Sequence, residues 1–90
     1  MATLDTIKTA LRINHDQLDT EISRLIAAAQ ADMIRVGVAS EVVENGGSLV
    51  TQAVVTYCLM NMTEEDDLID KYARAYEIQI DGIRRATNVQ

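Results

Sequence analysis

Leu49-Val50-Thr51-Gln52-Ala53-Val54-Val55-Thr56-Tyr57-Cys58-Leu59-Met60-Asn61-Met62 is the stretch on which the fold turns. Val50, Ala53, Val54, Tyr57 and Cys58 share one face at helical spacing, while Leu49, Val55, Leu59, Met60 and Met62 occupy much of the rest. A helix apolar almost all round is buried on most sides, so this segment predicts a central helix with others packed about it. Before it, Asn45-Gly46-Gly47 is a strong turn signal, and Ser48 suits the cap of the helix that follows. Residues 38–47 read as a loop or short irregular segment. After it, Thr63-Glu64-Glu65-Asp66-Asp67 opens a last helix running to about Arg85, with Thr63 and Asp66 at capping-box spacing. Leu68, Ile69, Tyr72, Tyr76, Ile80 and Ile83 form its apolar stripe. Arg84 and Arg85 stand where its dipole favours cations.

The first half of the chain has the same helical grammar. Thr3 caps a short helix whose apolar positions are Leu4, Ile7, Ala10 and Leu11. Arg12-Ile13-Asn14-His15-Asp16 reads as a turn, because Asn and Asp hydrogen-bond their local backbone. A second helix follows at about 17–36, capped by Asp16 or Asp19 and closed by Gly37. Leu18, Ile22, Leu25, Ala29 and Val36 lie within about 60° of Leu25 at roughly 100° per residue. Asp32 falls inside that stripe, so it either reaches water at the rim or pairs with an arginine. The expected architecture is all-α: one small four-helix domain over residues 1–90, with a buried central helix and a long C-terminal helix.

Composition narrows the class. The chain has 90 residues, no Pro and four Gly, which favours helix throughout. A hydrophobic fraction of 48% argues against disorder. One Cys forms no internal disulfide, and no apolar run approaches the ~20 residues of a membrane span. The opening Met-Ala-Thr-Leu-Asp lacks the basic leader and apolar stretch of a signal peptide, so a soluble protein made inside the cell is expected. A formal net charge of −6 lacks the basic footprint of a groove-binding nucleic-acid protein. So short a chain is also near the lower limit for a self-sufficient core, and partner surface is expected to help stabilise it.

Little in the sequence suggests catalysis. His15-Asp16 with Asp19 has the makings of a proton relay or partial metal site, yet a polar turn capping the next helix explains it more simply. Cys58, on the apolar face of the central helix, reads as an inert small hydrophobe. Glu64-Glu65-Asp66-Asp67 lacks the alternating ligands and Gly of a calcium loop and reads as a solvated, dipole-matched helix start. The expectation is no catalytic residue, no cofactor and no metal. Two positions resist a purely monomeric reading. Ile34 lies opposite Leu25 on the second helix, in line with Ala27 and Ala31, and Ile78 lies outside the stripe of the last helix. These faces are candidate contacts with neighbours.

The ordered set Thr3-Leu4, Ile7-Lys8, Leu11-Arg12-Ile13-Asn14-His15-Asp16, Asp19, Ile22, Leu25-Ile26 and Ala28-Ala29 resembles the opening of the tailed-phage head–tail connector (adaptor) proteins, also found in prophages. Leu49-Val50-Thr51-Gln52-Ala53-Val54 resembles the start of that family's central helix. Where many relatives continue with a Tyr-x-Asn-Arg-like segment, this chain runs Tyr57-Cys58-Leu59-Met60-Asn61-Met62, without the Arg. The resemblance implies a non-enzymatic virion part at the head–tail interface, assembled in the host cytoplasm. It implies a ring of copies, usually matched to the portal's twelvefold symmetry. Such a ring joins the portal to head-completion or tail proteins, and DNA passes through its lumen. Ala27, Ala31, Ile34 and Ile78 are the candidate ring contacts, and Arg84 and Arg85 are candidate partners for acidic portal side chains. The alternative is a small helical interaction or regulatory module that binds a partner helix in a groove.

Overall fold

A computed structural model describes residues 3–45 and 47–87. Its elements are α1 (Leu4–Leu11), α2 (Asp19–Arg35), α3 (Ser40–Asn45), α4 (Ser48–Met62) and α5 (Asp66–Thr87), with no strand among the described residues. The all-α architecture and the long last helix are as expected. The count is five rather than four, because Ser40–Asn45, read as a loop, forms one short helix. Its Val43 is buried and Val42 half-buried, so the packing of this apolar pair outweighs the local turn chemistry.

Several helix ends are as read. The Thr3 hydroxyl accepts the Thr6 N–H and caps α1. At the far end of α2, Gly37 adopts a left-handed φ of +108°. Its N–H donates to Ile34 C=O at 3.1 Å and the Val38 N–H to Met33 C=O at 2.9 Å, the paired bonds of a Schellman motif. α1 ends the same way on a less suitable residue, since Arg12 holds φ 62° and ψ 37°.

Three expected caps are not formed. Asp16 and Asp19 do not cap α2, whose N-cap is Leu18 without a side-chain bond. Both carboxylates instead receive Lys8 Nζ, at 3.2 and 2.7 Å, and so tie α1 to the start of α2. Ser48 is the first residue of α4 rather than its cap, and Gly47 takes the cap position. Thr63 is the C-cap of α4; its hydroxyl accepts the Glu65 N–H at 3.3 Å, so the capping box with Asp66 does not form.

Helix α4 is the hub, in contact with α1, α2 and α5. Val50, Ala53, Val54 and Cys58 from α4 are buried against Ile7 of α1, Ile22, Leu25, Ala29 and Met33 of α2, and Tyr76, Ile80 and Ile83 of α5. Thr56 is buried too, and its hydroxyl donates to the Gln52 carbonyl at 3.1 Å, so no polar group is stranded there. The domain measures 43 × 27 × 18 Å. Its shortest dimension, 18 Å, has room for about two helices packed at 8–10 Å between axes. Some apolar surface of α4 is therefore only half covered: Val55, Tyr57, Leu59, Met60 and Met62 are all intermediate in burial.

Candidate functional site

The outward faces of α2 and α5 carry the features that the core does not use. Ala27, Ala31 and Ile34 are all exposed on α2, with Ile34 at 46%. Ile78 on α5 is 72% exposed. The sequence reading placed these four residues off the core, and they are off it. Three of them belong to α2 and Ile78 to α5. Leu49 was missed. It was read as part of a helix buried all round, yet it is 60% exposed. It stands in the first turn of α4 beside α3, at the edge of a hollow of about 310 Å³ that Val42, Val50 and Ile83 also line. The signal was its place next to the Gly-rich turn, where neighbouring helices have not yet closed over α4.

Between α2, α4 and α5 runs a groove of about 570 Å³. Val36, Tyr57, Met60, Tyr76 and Ile80 give it apolar walls, and Asp32, Arg35, Glu77 and Arg84 give it charge. The Tyr57 and Tyr76 rings meet at 5.4 Å with planes tilted by 58°, within the range aromatic pairs prefer. Asp32 solves the puzzle posed by its position. Its carboxylate is only 23% exposed and receives Arg35 Nη2 at 2.6 Å on one oxygen and the Tyr76 hydroxyl at 2.9 Å on the other. The arginine was anticipated; the tyrosine was not, because α2 and α5 lie far apart in the chain. Burial first, and then the Asp32 carboxylate, push the Tyr76 hydroxyl well above its ordinary 10.0. Its hydrogen bond to Asp32 likewise raises the Arg35 guanidinium above its ordinary value.

The two C-terminal arginines occupy different settings. Arg85 pairs with Asp81 one turn earlier, at 2.9 Å. The Arg84 guanidinium lies against Gly37, so close that a Cβ there would stand 3.4 Å from Nε. This contact leans the end of α5 on the end of α2.

The residues considered for chemistry are not gathered into a site. His15 is exposed, and its Nδ1 accepts the Gln17 N–H at 3.3 Å within its own turn. Cys58 is fully buried, and burial pushes its thiol up to about 11. No group of three or more His, Cys, Asp or Glu suited to a metal occurs among the described residues. Glu64, Glu65, Asp66 and Asp67 are exposed at the start of α5. No helix among the described residues is long and apolar enough to cross a membrane.

What the fold presents, then, is a small all-α protein whose distinctive surfaces are helix faces and a groove, the equipment of a structural or interaction protein. A family model described as phage connector protein matches residues 3–78. The chain belongs to the phage connector protein family, and its role is that of a structural connector of a bacteriophage. No curated protein and no solved structure matches it.

Proposed function

We propose that copies of this protein form a ring at the head–tail interface of the virion, joining the portal to head-completion or tail proteins around the path of the DNA. The observation that carries the reading is the pair of exposed isoleucines, Ile34 and Ile78, on the outward faces of two different helices. A ring needs a heterologous interface, in which one face of each copy meets a different face of the next. Ala27, Ala31 and Ile34 belong to one such face and Ile78 to the other. A copy number matched to a twelvefold portal follows from the same reading. The net charge of −6 suits the role, because an acidic wall repels the DNA backbone and lets it slide. Arg85, exposed although paired with Asp81, and Arg84 beside it are the proposed contacts to acidic portal side chains.

The groove beside Tyr57 and Tyr76 favours a second reading, a module that takes a partner helix between α2 and α5. Native mass spectrometry and sedimentation over a concentration series, alone and with the cognate portal, separate the two. A ring gives a single high-order species, alone or on the portal. A protein that stays monomeric throughout and binds no portal refutes the connector ring.

A further inference from the structure

We infer that α3 is a strap that releases from the domain as a unit, between two fixed ends, while the other four helices stay folded. The inference is independent of the ring reading above, since it concerns a single copy of the chain.

The ends are fixed because each belongs to a neighbouring helix. Val38 is buried, and its N–H donates to Met33 C=O at 2.9 Å, so it finishes α2. Gly47 is the N-cap of α4, and its carbonyl accepts the Thr51 N–H at 2.9 Å. Neither bond involves α3. The chain therefore stays tethered on both sides when α3 lets go, and no longer loop has to be closed to bring it back.

Between the ends, one side chain holds the segment down. Ala39, Ser40, Glu41, Glu44 and Asn45 are exposed and Val42 is half-buried. Val43, at 2% exposure, is the one buried residue among those described between the two ends. No hydrogen bond or ion pair joins residues 40–45 to another helix among the described residues. The local signals of α3 do not sustain it either. Its six residues fall well short of the ~12–15 that a helix alone in water needs. The Val42 and Val43 N–H groups both donate to the carbonyl of Ala39, a residue whose side chain caps nothing. No basic residue stands in its last turn, where Glu44 instead meets the negative end of the dipole. α3 thus persists while Val43 is buried, and is lost when Val43 leaves.

Packing around that anchor is incomplete. The hollow of about 310 Å³ separates Val42 and Asn45 from Leu49, Val50 and Ile83, and an empty space withholds the contacts that would seat α3 on α4 and α5. Helix α1 is nearly as short but is held differently: Thr3 caps it, Ile7 is fully buried, and Lys8 bonds both Asp16 and Asp19. Release of α3 removes one wall of the hollow. Val50 and Ile83 then join the exposed Leu49 in a single open apolar face.

Hydrogen exchange read by mass spectrometry on the full chain tests this, with two variants, Val43→Ala and Ile7→Val, whose fold circular dichroism checks. Ile7 stays buried when α3 releases, so its truncation weakens the whole domain without touching the strap. The amides of residues 42–45 are expected to exchange on the order of a hundredfold faster than the slowest amides of α4, and to ignore urea below the unfolding transition. Ile7→Val should speed the slowest α4 amides roughly threefold to tenfold and leave residues 42–45 unchanged. Val43→Ala should speed both by about tenfold, because Val43 meets water in the released and the unfolded state alike. If residues 42–45 follow urea and Ile7→Val as α4 does, α3 opens only with the whole domain and the inference fails. It fails equally if those amides exchange without protection, because the strap is then never held.

Discussion

Replacing Tyr76 with Phe keeps the ring that packs against Tyr57 and removes only the hydroxyl that Asp32 accepts at 2.9 Å. A hydrogen bond to a charged group contributes about 1.5–3 kcal/mol. The lower end applies here, because Asp32 is 23% exposed and keeps Arg35 at 2.6 Å. A loss of about 1.5 kcal/mol lowers the melting temperature of a domain this size by roughly 6–12 °C. Urea unfolding followed by circular dichroism at pH 7 measures it. The difference should also shrink with alkali. Tyr76 keeps its proton in the folded state well above 10.0, whereas the unfolded chain releases it near that value. The hydroxyl therefore stabilises the fold fully below pH ~10 and progressively less above it. Tyr76→Phe should lose its disadvantage over the same range. A variant within about 0.3 kcal/mol of the parent at pH 7, with an unchanged denaturant slope, would refute the view that this bond ties α2 to α5.

Further expectations follow from single sites. Gly82→Ala should stabilise the monomer by about 0.5–1 kcal/mol in thermal unfolding, because Gly82 lies inside α5 and a Cβ there meets nothing within 4 Å. Gly37→Ala and Arg12→Gly should move stability in opposite directions, each by roughly 1 kcal/mol in urea titrations, since both positions hold left-handed backbone and only one carries the residue suited to it. Gly37→Ala should show the larger change, because its Cβ also approaches Arg84 at 3.4 Å. Cys58 gives an alkaline signature of its own. Its thiol is raised from 9.0 to about 11, so it stabilises the fold below pH ~9 and loses that contribution as pH rises through about 11, about 3 kcal/mol in all. Cys58→Ala, though less stable at neutral pH, should show a flatter stability profile from pH 8 to 11.

The helices were legible because the signals for them are local. Thr3, Gly37 and the apolar spacing of α2 and α5 state their own roles within a few residues. The caps at Asp16, Asp19 and Thr63 were misread because competing partners were out of sight. A carboxylate beside a helix start suits a cap, and it suits an ammonium from the preceding helix equally well; here Lys8 took both. The short α3 was hidden for the opposite reason: its formation depends on burying Val43, a tertiary fact that overrides a Gly-rich flank. Of the candidate surfaces, Ile34 and Ile78 could be read because helical periodicity places a residue on a face. The tie between Asp32 and Tyr76 could not, since nothing local reports which two faces will meet.

The apolar excess of α4 has a consequence for the surface. Periodicity cannot say how many neighbours a helix will have; it says only that residues 49–62 would need neighbours on nearly every side. Helices α1, α2 and α5 supply only some of them, and Val55, Tyr57, Leu59, Met60 and Met62 stay half-buried. The shortfall falls in two places, at Met60 and Tyr57 in the groove and at Leu49 beside the α3 hollow. Neither lies on the outer faces of α2 and α5, where exposed isoleucines sit among charges. An apolar cleft is the kind of surface that takes an inserted side chain or helix. The apolar excess of α4 thus comes to the surface in these two hollows, where the neighbouring helices leave it half covered.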